Sequence, residues 1–171
     1  MKTPQLETKN HKIDEKSKKE KLAEWKEEER PAYINGTETK IKILKKELAP
    51  GAFVREYQDD GKMPKHLVGE QLFNWKAVLN LGLQDRLSTW ENTQSMRETK
   101  EEKDGFLKNN FQKDKNLFPG YWNPSYKKFS NIGKRTDFWL SGGNDVVLHR
   151  DGMDRSYYNP EFGFSLRLLK N

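Results

Sequence analysis

Phe162-Gly163-Phe164-Ser165-Leu166-Arg167-Leu168-Leu169, near the end of the chain, places apolar side chains at 162, 164, 166 and 168. Glycine, serine and arginine fall between them. A period of two is the repeat of a strand with one face buried. The same texture of short apolar runs broken by Gly, Asn and Pro extends back to Phe106. Asp137-Phe138-Trp139-Leu140-Ser141 reads as a strand ended by Gly142-Gly143, and Val146-Val147-Leu148 as another. Leu117 to Pro124 is turn-rich.

Upstream the period changes. Leu72, Trp75 and Leu79 recur at helical spacing, with Phe73 and Val78 beside them, so residues 69–83 are expected to be a helix. Ser88-Thr89-Trp90-Glu91 fits a capping box, in which the serine oxygen takes a backbone N–H and the glutamate reaches back. A second helix is therefore expected from Ser88, with Gly105 as its stop. Before these helices, Tyr33-Ile34 leads into the turn dipeptide Asn35-Gly36. Ile41, Ile43 and Leu44 follow, then a Pro50-Gly51 turn and a short Ala52-Phe53-Val54 strand. Strands, two helices and strands again, with no internal repeat, imply an α+β fold.

Residues 1–31 read as a separate charged arm and residues 32–171 as one domain. Asp14/Lys18 and Glu15/Lys19 have the i,i+4 spacing that supports a helix, and Pro31 marks its end. The arm's apolar residues, Leu6, Ile13, Leu22 and Trp25, are too few for a core of its own. They are expected to anchor the arm on a neighbouring protein, each contributing about 1–3 kcal/mol if fully buried.

Composition narrows the function. With 171 residues, 33% hydrophobic and 34% charged, the chain suits one domain with a polar extension. Cysteine is absent, which removes disulfides, thiolate nucleophiles and Cys-ligated zinc. No apolar run reaches the ~18 residues of a membrane span, and the N-terminus lacks the apolar stretch of a secretory signal. Phe106 to Asn171 carry 11 Lys+Arg against 6 Asp+Glu, so the net charge of +6 is concentrated in the C-terminal lobe.

Five segments share a further pattern. Gly69-Glu70-Gln71-Leu72-Phe73-Asn74-Trp75-Lys76-Ala77-Val78 is similar to G-x-L-Y-N-W-x-A-A. Arg86-Leu87-Ser88-Thr89-Trp90-Glu91 is similar to W-R-L-P-T-x-x-E-W, and Leu117-Phe118-Pro119-Gly120-Tyr121 to L-P-A-G-Y-R. Phe129 to Gly133 followed by Phe138-Trp139-Leu140-Ser141 is similar to F-x-x-x-G and F-W-S-S, and Gly163 to Lys170 to G-F-S-V-R-C-V-K. In this order they resemble the Fibrobacter succinogenes major paralogous domain, a bacterial family related to C-type-lectin-like folds. Ser88, Trp122 and Leu168 stand where that pattern has proline, arginine and cysteine, and residues 92–116 fit no element. The resemblance implies a C-type-lectin-like fold of two small antiparallel sheets with two helices, and long loops that display binding surfaces. It implies no particular activity.

The residues themselves offer little chemistry. His11, His66 and His149 are scattered, with no metal-ligand spacing. His149-Arg150-Asp151 lacks every other kinase element, and no nucleophile elbow is visible. Asp145, Asp151 and Asp154 could offer oxygens to calcium, but without an EF-hand pattern they read as solvated loop carboxylates. No catalysis, cofactor or metal is expected. The turn-borne aromatics and nearby cations, Tyr121, Trp122, Tyr126, Arg150, Arg155, Tyr157 and Tyr158, are expected to contact a ligand or partner. Trp75, Phe138, Trp139, Phe162 and Phe164 are expected in the core. The expected role is a non-catalytic binding or structural subunit of a larger assembly, a virion or a bacterial cell surface. Its expected partner is a protein, with glycan as a second class. Nucleic-acid binding by the basic lobe is the alternative.

Overall fold

The computed structural model describes residues 24–95, 118–149, 152–157 and 159–169. Among these, nine strands and two short α-helices make an α+β fold that is mostly strand. β1 (Lys26–Ile34), β2 (Thr37–Ala49), β3 (Ala52–Tyr57) and β4 (Gln71–Phe73) form an antiparallel meander. Asn35 and Gly36 both adopt positive φ, 50° and 83°, as a two-residue hairpin turn with the right twist requires. Gly51, φ 80°, does the same for the Pro50-Gly51 turn.

The hairpin of β5 (Tyr121–Asn123) and β6 (Lys128–Ile132) joins the other side of the meander, with β6 parallel to β1. The strand order is β4-β3-β2-β1-β6-β5. β7 (Arg135–Trp139), β8 (Asp145–His149) and β9 (Gly152–Ser156) make a second, antiparallel sheet. The expected pair of small antiparallel sheets is therefore corrected: one is six-stranded and mixed.

The added strand comes from the segment read as a helical arm. Lys26 to Pro31 are strand, paired residue by residue with Lys45 to Lys40. Opposite charges sit across the ladder, with Glu28 3.6 Å from Lys45 and Glu27 3.8 Å from Lys42. Charged residues of opposite sign thus stabilise a ladder across strands, while Asp14/Lys18 and Glu15/Lys19 lie outside the described residues. Pro31 does not break the ladder. Asn35 donates its N–H to Ile132 of β6, so by alternation the Pro31 nitrogen also faces the β6 side. Pairing with β6 begins only at Ala32, so no ladder bond is lost there. Trp25, expected as an anchor on a neighbour, is 8% exposed and belongs to this chain's own core. Beside it Glu24 pairs with the buried Lys46 at 2.8 Å. Leu6, Ile13 and Leu22 lie outside the described residues.

The C-terminal stretch closes the larger sheet. Phe164 bridges Phe73 of β4 and Gly163 bridges Trp122 of β5, both antiparallel and each through two backbone hydrogen bonds. The two edges are thereby joined, and the sheet curls on itself as a barrel does. Gly163 is required by space, because a Cβ there would lie 2.9 Å from Cβ of Trp122. Ser165 then bridges Phe138 in parallel, and Leu168 bridges Leu87. The expected half-buried strand is instead buried on both sides: Ser165 and Arg167 are as inaccessible as Phe164, Leu166 and Leu168.

The helical reading of 69–83 also contracts. Gln71–Phe73 pair with β3, and α1 covers only Trp75–Asn80. Asn74 decides the switch: its Oδ1 accepts from the Ala77 N–H, capping the helix, and from the Phe53 N–H on the strand side. Leu79, expected to face the core, is exposed. The second helix, α2 (Trp90–Ser95), is capped one residue later than read, by Thr89, whose Oγ1 accepts the Asn92 N–H. Ser88 is buried and hydrogen-bonded to Thr93.

Three apolar clusters follow from this layout. Ile41, Ile43, Tyr57, Leu72, Trp122 and Phe129 fill the barrel, with Met63 and Leu67 of the β3–β4 connection packed on them. Val54, Phe73, Ala77, Trp139, Phe164 and Leu166 join its outer surface to α1 and β7. Phe138, Val146 and Leu148 face Phe118 and Met153 on the far side of the smaller sheet.

Candidate functional site

The structure does not gather the expected contact residues into one site. Trp122 points into the barrel, 5% exposed, and is a core residue. Tyr121, its neighbour on the opposite face of β5, is half-buried against Phe162 at 5.9 Å and under the Arg135 guanidinium at 4.9 Å. Tyr126 and Tyr157 are exposed, at 72% and 74%. Each has a cation beside its ring: Lys128 Nζ is 5.2 Å from Tyr126, and the Arg155 guanidinium 5.1 Å from Tyr157. Lys128 also lies over Tyr33 at 4.5 Å. With its oxygen turned to the guanidinium, Asn144 accepts from Arg155 Nε and Nη2 at 2.7 and 2.6 Å, so Arg155 is held in place. Arg150 and Tyr158 lie outside the described residues. Of the residues expected in the core, Phe138, Trp139 and Phe164 are buried, while Trp75 and Phe162 are partly exposed.

Asp145 is not the solvated loop carboxylate the sequence suggested. It lies on β8, fully buried, with Asp137 of β7 buried beside it. Arg135 donates to both oxygens of Asp137, at 2.7 and 2.9 Å. An ionised Asp145 would have no donor for either oxygen among the described residues. The neutral form of Asp145 avoids an uncompensated charge buried beside Asp137. Burial first, then the hydrogen bond and charge of Asp137, push its carboxyl up to about 9. Asp154 is on β9, exposed, 3.2 Å from His149, and Asp151 lies outside the described residues. Among the described residues no three His, Cys, Asp or Glu side chains converge as metal ligands.

A further cluster lies on the interior face of the barrel. Register puts Lys45 and Arg55 in one row, and Glu28, Ile43 and Tyr57 in a row two residues along, so all share a face. Arg30, opposite Ile41, shares it too. On this face charged side chains thus stand in and beside the rows that hold Ile41, Ile43 and Tyr57. Glu28 takes both Arg30, at 3.3 Å, and Lys45, at 3.6 Å. Lys45 Nζ lies 4.4 Å above the half-buried Phe53 ring. Arg55 is 6% exposed, its guanidinium 4.3 Å from the Trp122 ring and 5.3 Å from Phe53. Its Nε and Nη1 have no acceptor among the described residues. Burial lowers its pKa to about 10, against the pull of Glu28. Arg30 and Lys45 therefore share Glu28 beside Arg55, while the buried Glu70, opposite Tyr57, acts on Tyr57 and Arg167.

Sequence reasoning missed this cluster, although Lys45 has the same parity as Ile41 and Ile43 and so had to share their face. Nothing local marked Arg55. None of the described helices is long and apolar enough to cross a membrane. In comparisons with known proteins, no family model, no curated protein and no solved structure matches the chain.

Proposed function

We propose that this protein is a non-catalytic binding or structural module of C-type-lectin-like type, a divergent relative of the Fibrobacter succinogenes major paralogous domain. In this reading it serves as a subunit of a larger assembly, a virion or a bacterial cell surface, and meets a protein or a glycan through exposed tyrosines. The observation that carries the reading is the contrast between its aromatics and its acids. Tyr126 and Tyr157 stand in solvent with Lys128 and Arg155 alongside, and tyrosine and arginine are among the residue types that dominate contact energy at interfaces. The two adjacent carboxyls, Asp137 and Asp145, are sealed from solvent, Asp137 held by Arg135. Further support is that residues from the family-like segments pack together: Phe73, Leu87, Trp139, Phe164 and Leu168 share one cluster.

A glycan array, together with chemical cross-linking of the full chain to its neighbours, tests this. The Tyr126→Ala/Tyr157→Ala double variant should lose the contacts that the parent makes while keeping its thermal transition. Binding that survives in the double variant overturns the role of the tyrosines. Binding that instead falls steeply with salt and follows nucleic acid favours the basic lobe.

A further inference from the structure

From the charged end of the barrel interior we infer that Arg30, Lys45 and Arg55 form a binding site for an oxyanion, the carboxylate, phosphate or sulfate group of a ligand. The site uses none of the loop tyrosines and stands apart from the reading above.

Three observations converge on it. The first is imbalance. Glu28 is the carboxylate that acts on Arg55, and it already serves Arg30 and Lys45, while the buried Glu70 acts on Arg167. The second is an unmet requirement. Arg55 is almost wholly buried, and its Nε and Nη1 lack acceptors among the described residues. A buried guanidinium is ordinarily paired with an anion, because desolvation without an acceptor is costly. Here the ring faces of Trp122 and Phe53 supply part of that stabilisation, but they offer no oxygen. The third is placement. Arg30 and Lys45 are 36% and 24% exposed, whereas Arg55 is almost wholly buried. A graded set of cations, exposed outside and buried within, attracts and then holds negative charge. Rigid ladders of β1, β2 and β3 position all three side chains, which limits the ordering needed on binding.

The same geometry argues against a cation or a neutral sugar as the occupant. A cation would meet net positive charge. A neutral hydroxyl would accept from Arg55 but leave the excess charge uncompensated.

Titration of the full chain with sodium phosphate, sodium acetate and sodium sulfate, at ionic strength fixed with sodium chloride, tests the inference. Two readouts are followed: the ¹⁵N–¹H resonances of the arginine Nε and tryptophan Nε1 groups, and the thermal transition. Saturable shifts at Arg55 and Trp122, with a raised transition, are expected for at least one oxyanion. The three arms show whether a planar or a tetrahedral group is preferred. Arg55→Met, which keeps the length and apolar packing of the stem, should abolish the response. Lys45→Gln, more exposed and easier to accommodate, should weaken apparent affinity by about tenfold, the effect of losing one charged contact. The Tyr126→Ala/Tyr157→Ala variant should respond as the parent does, which separates this site from the loop contacts. If the parent shows no saturable response beyond chloride, or if Lys45→Gln and Arg55→Met respond as the parent does, the inference is wrong. Should Arg55→Met fail to fold, the parent resonances and Lys45→Gln decide alone.

Discussion

Replacing Asp145 with asparagine tests whether the buried acid pair holds a proton. Asp137 and Asp145 are both inaccessible, and the single guanidinium of Arg135 neutralises only one charge. The pair therefore keeps one proton in the folded state, on Asp145, whose carboxyl is pushed up to about 9. In the unfolded chain an aspartate titrates near ~3.9. Between these values the folded protein binds one proton more than the unfolded one. The stabilisation from that proton is complete below about pH 4 and is lost as pH rises toward the folded value. A difference of one proton corresponds to a slope of about −1.4 kcal/mol per pH unit.

The asparagine would keep the shape, donate an N–H to Asp137 and have no proton to lose. Urea unfolding of parent and Asp145→Asn at pH 5, 6, 7 and 8 is the assay. The parent should lose stability relative to the variant by up to about 4 kcal/mol across that range. Arg135, Asp137, His149 and Asp154 remain in both proteins, so their contributions largely cancel. Parallel stability curves would refute the reasoning, because they would mean that Asp145 is ionised in the native state.

Two substitutions test the fold more directly. Trp25→Ala should destabilise the isolated chain by about 3–5 kcal/mol in chemical denaturation, as expected for a core tryptophan; unchanged stability with a changed solution mass would return Trp25 to the role of an anchor. Gly163→Ala should cost about 1–3 kcal/mol, because its methyl group meets Cβ of Trp122 at the barrel's closing seam; a neutral result would show that the seam can open enough to admit a side chain.

Features set by neighbouring residues were legible in the sequence. The turns at Asn35-Gly36, Pro50-Gly51 and Gly142-Gly143, the alternation of Ile41 and Ile43, and the strands around Phe138 and Val147 all depend on backbone φ preference or on a period of two. Both act within a few residues. The α+β class followed from the order of those segments. Where a local pattern had two solutions, tertiary contacts chose between them. Lys26 to Arg30 carries charges that suit a helix or a ladder, and β2 and β6 supplied the ladder. Leu72 and Trp75 fit a helical stripe, but pairing of Gln71–Phe73 with β3 and capping by Asn74 divided that stretch between a strand and a short helix. Only the closed sheet could place Arg55 on Trp122, and only the pairing of β7 with β8, covered by the rest of the fold, could bury Asp145 beside Asp137, because burial and pairing of a charge depend on what other strands put beside it. Hydrophobic periodicity records which face of an element turns inward. It carries no information about which remote partner meets that face, and here the partners determine which charges are buried, which remain unpaired and where an anion can bind.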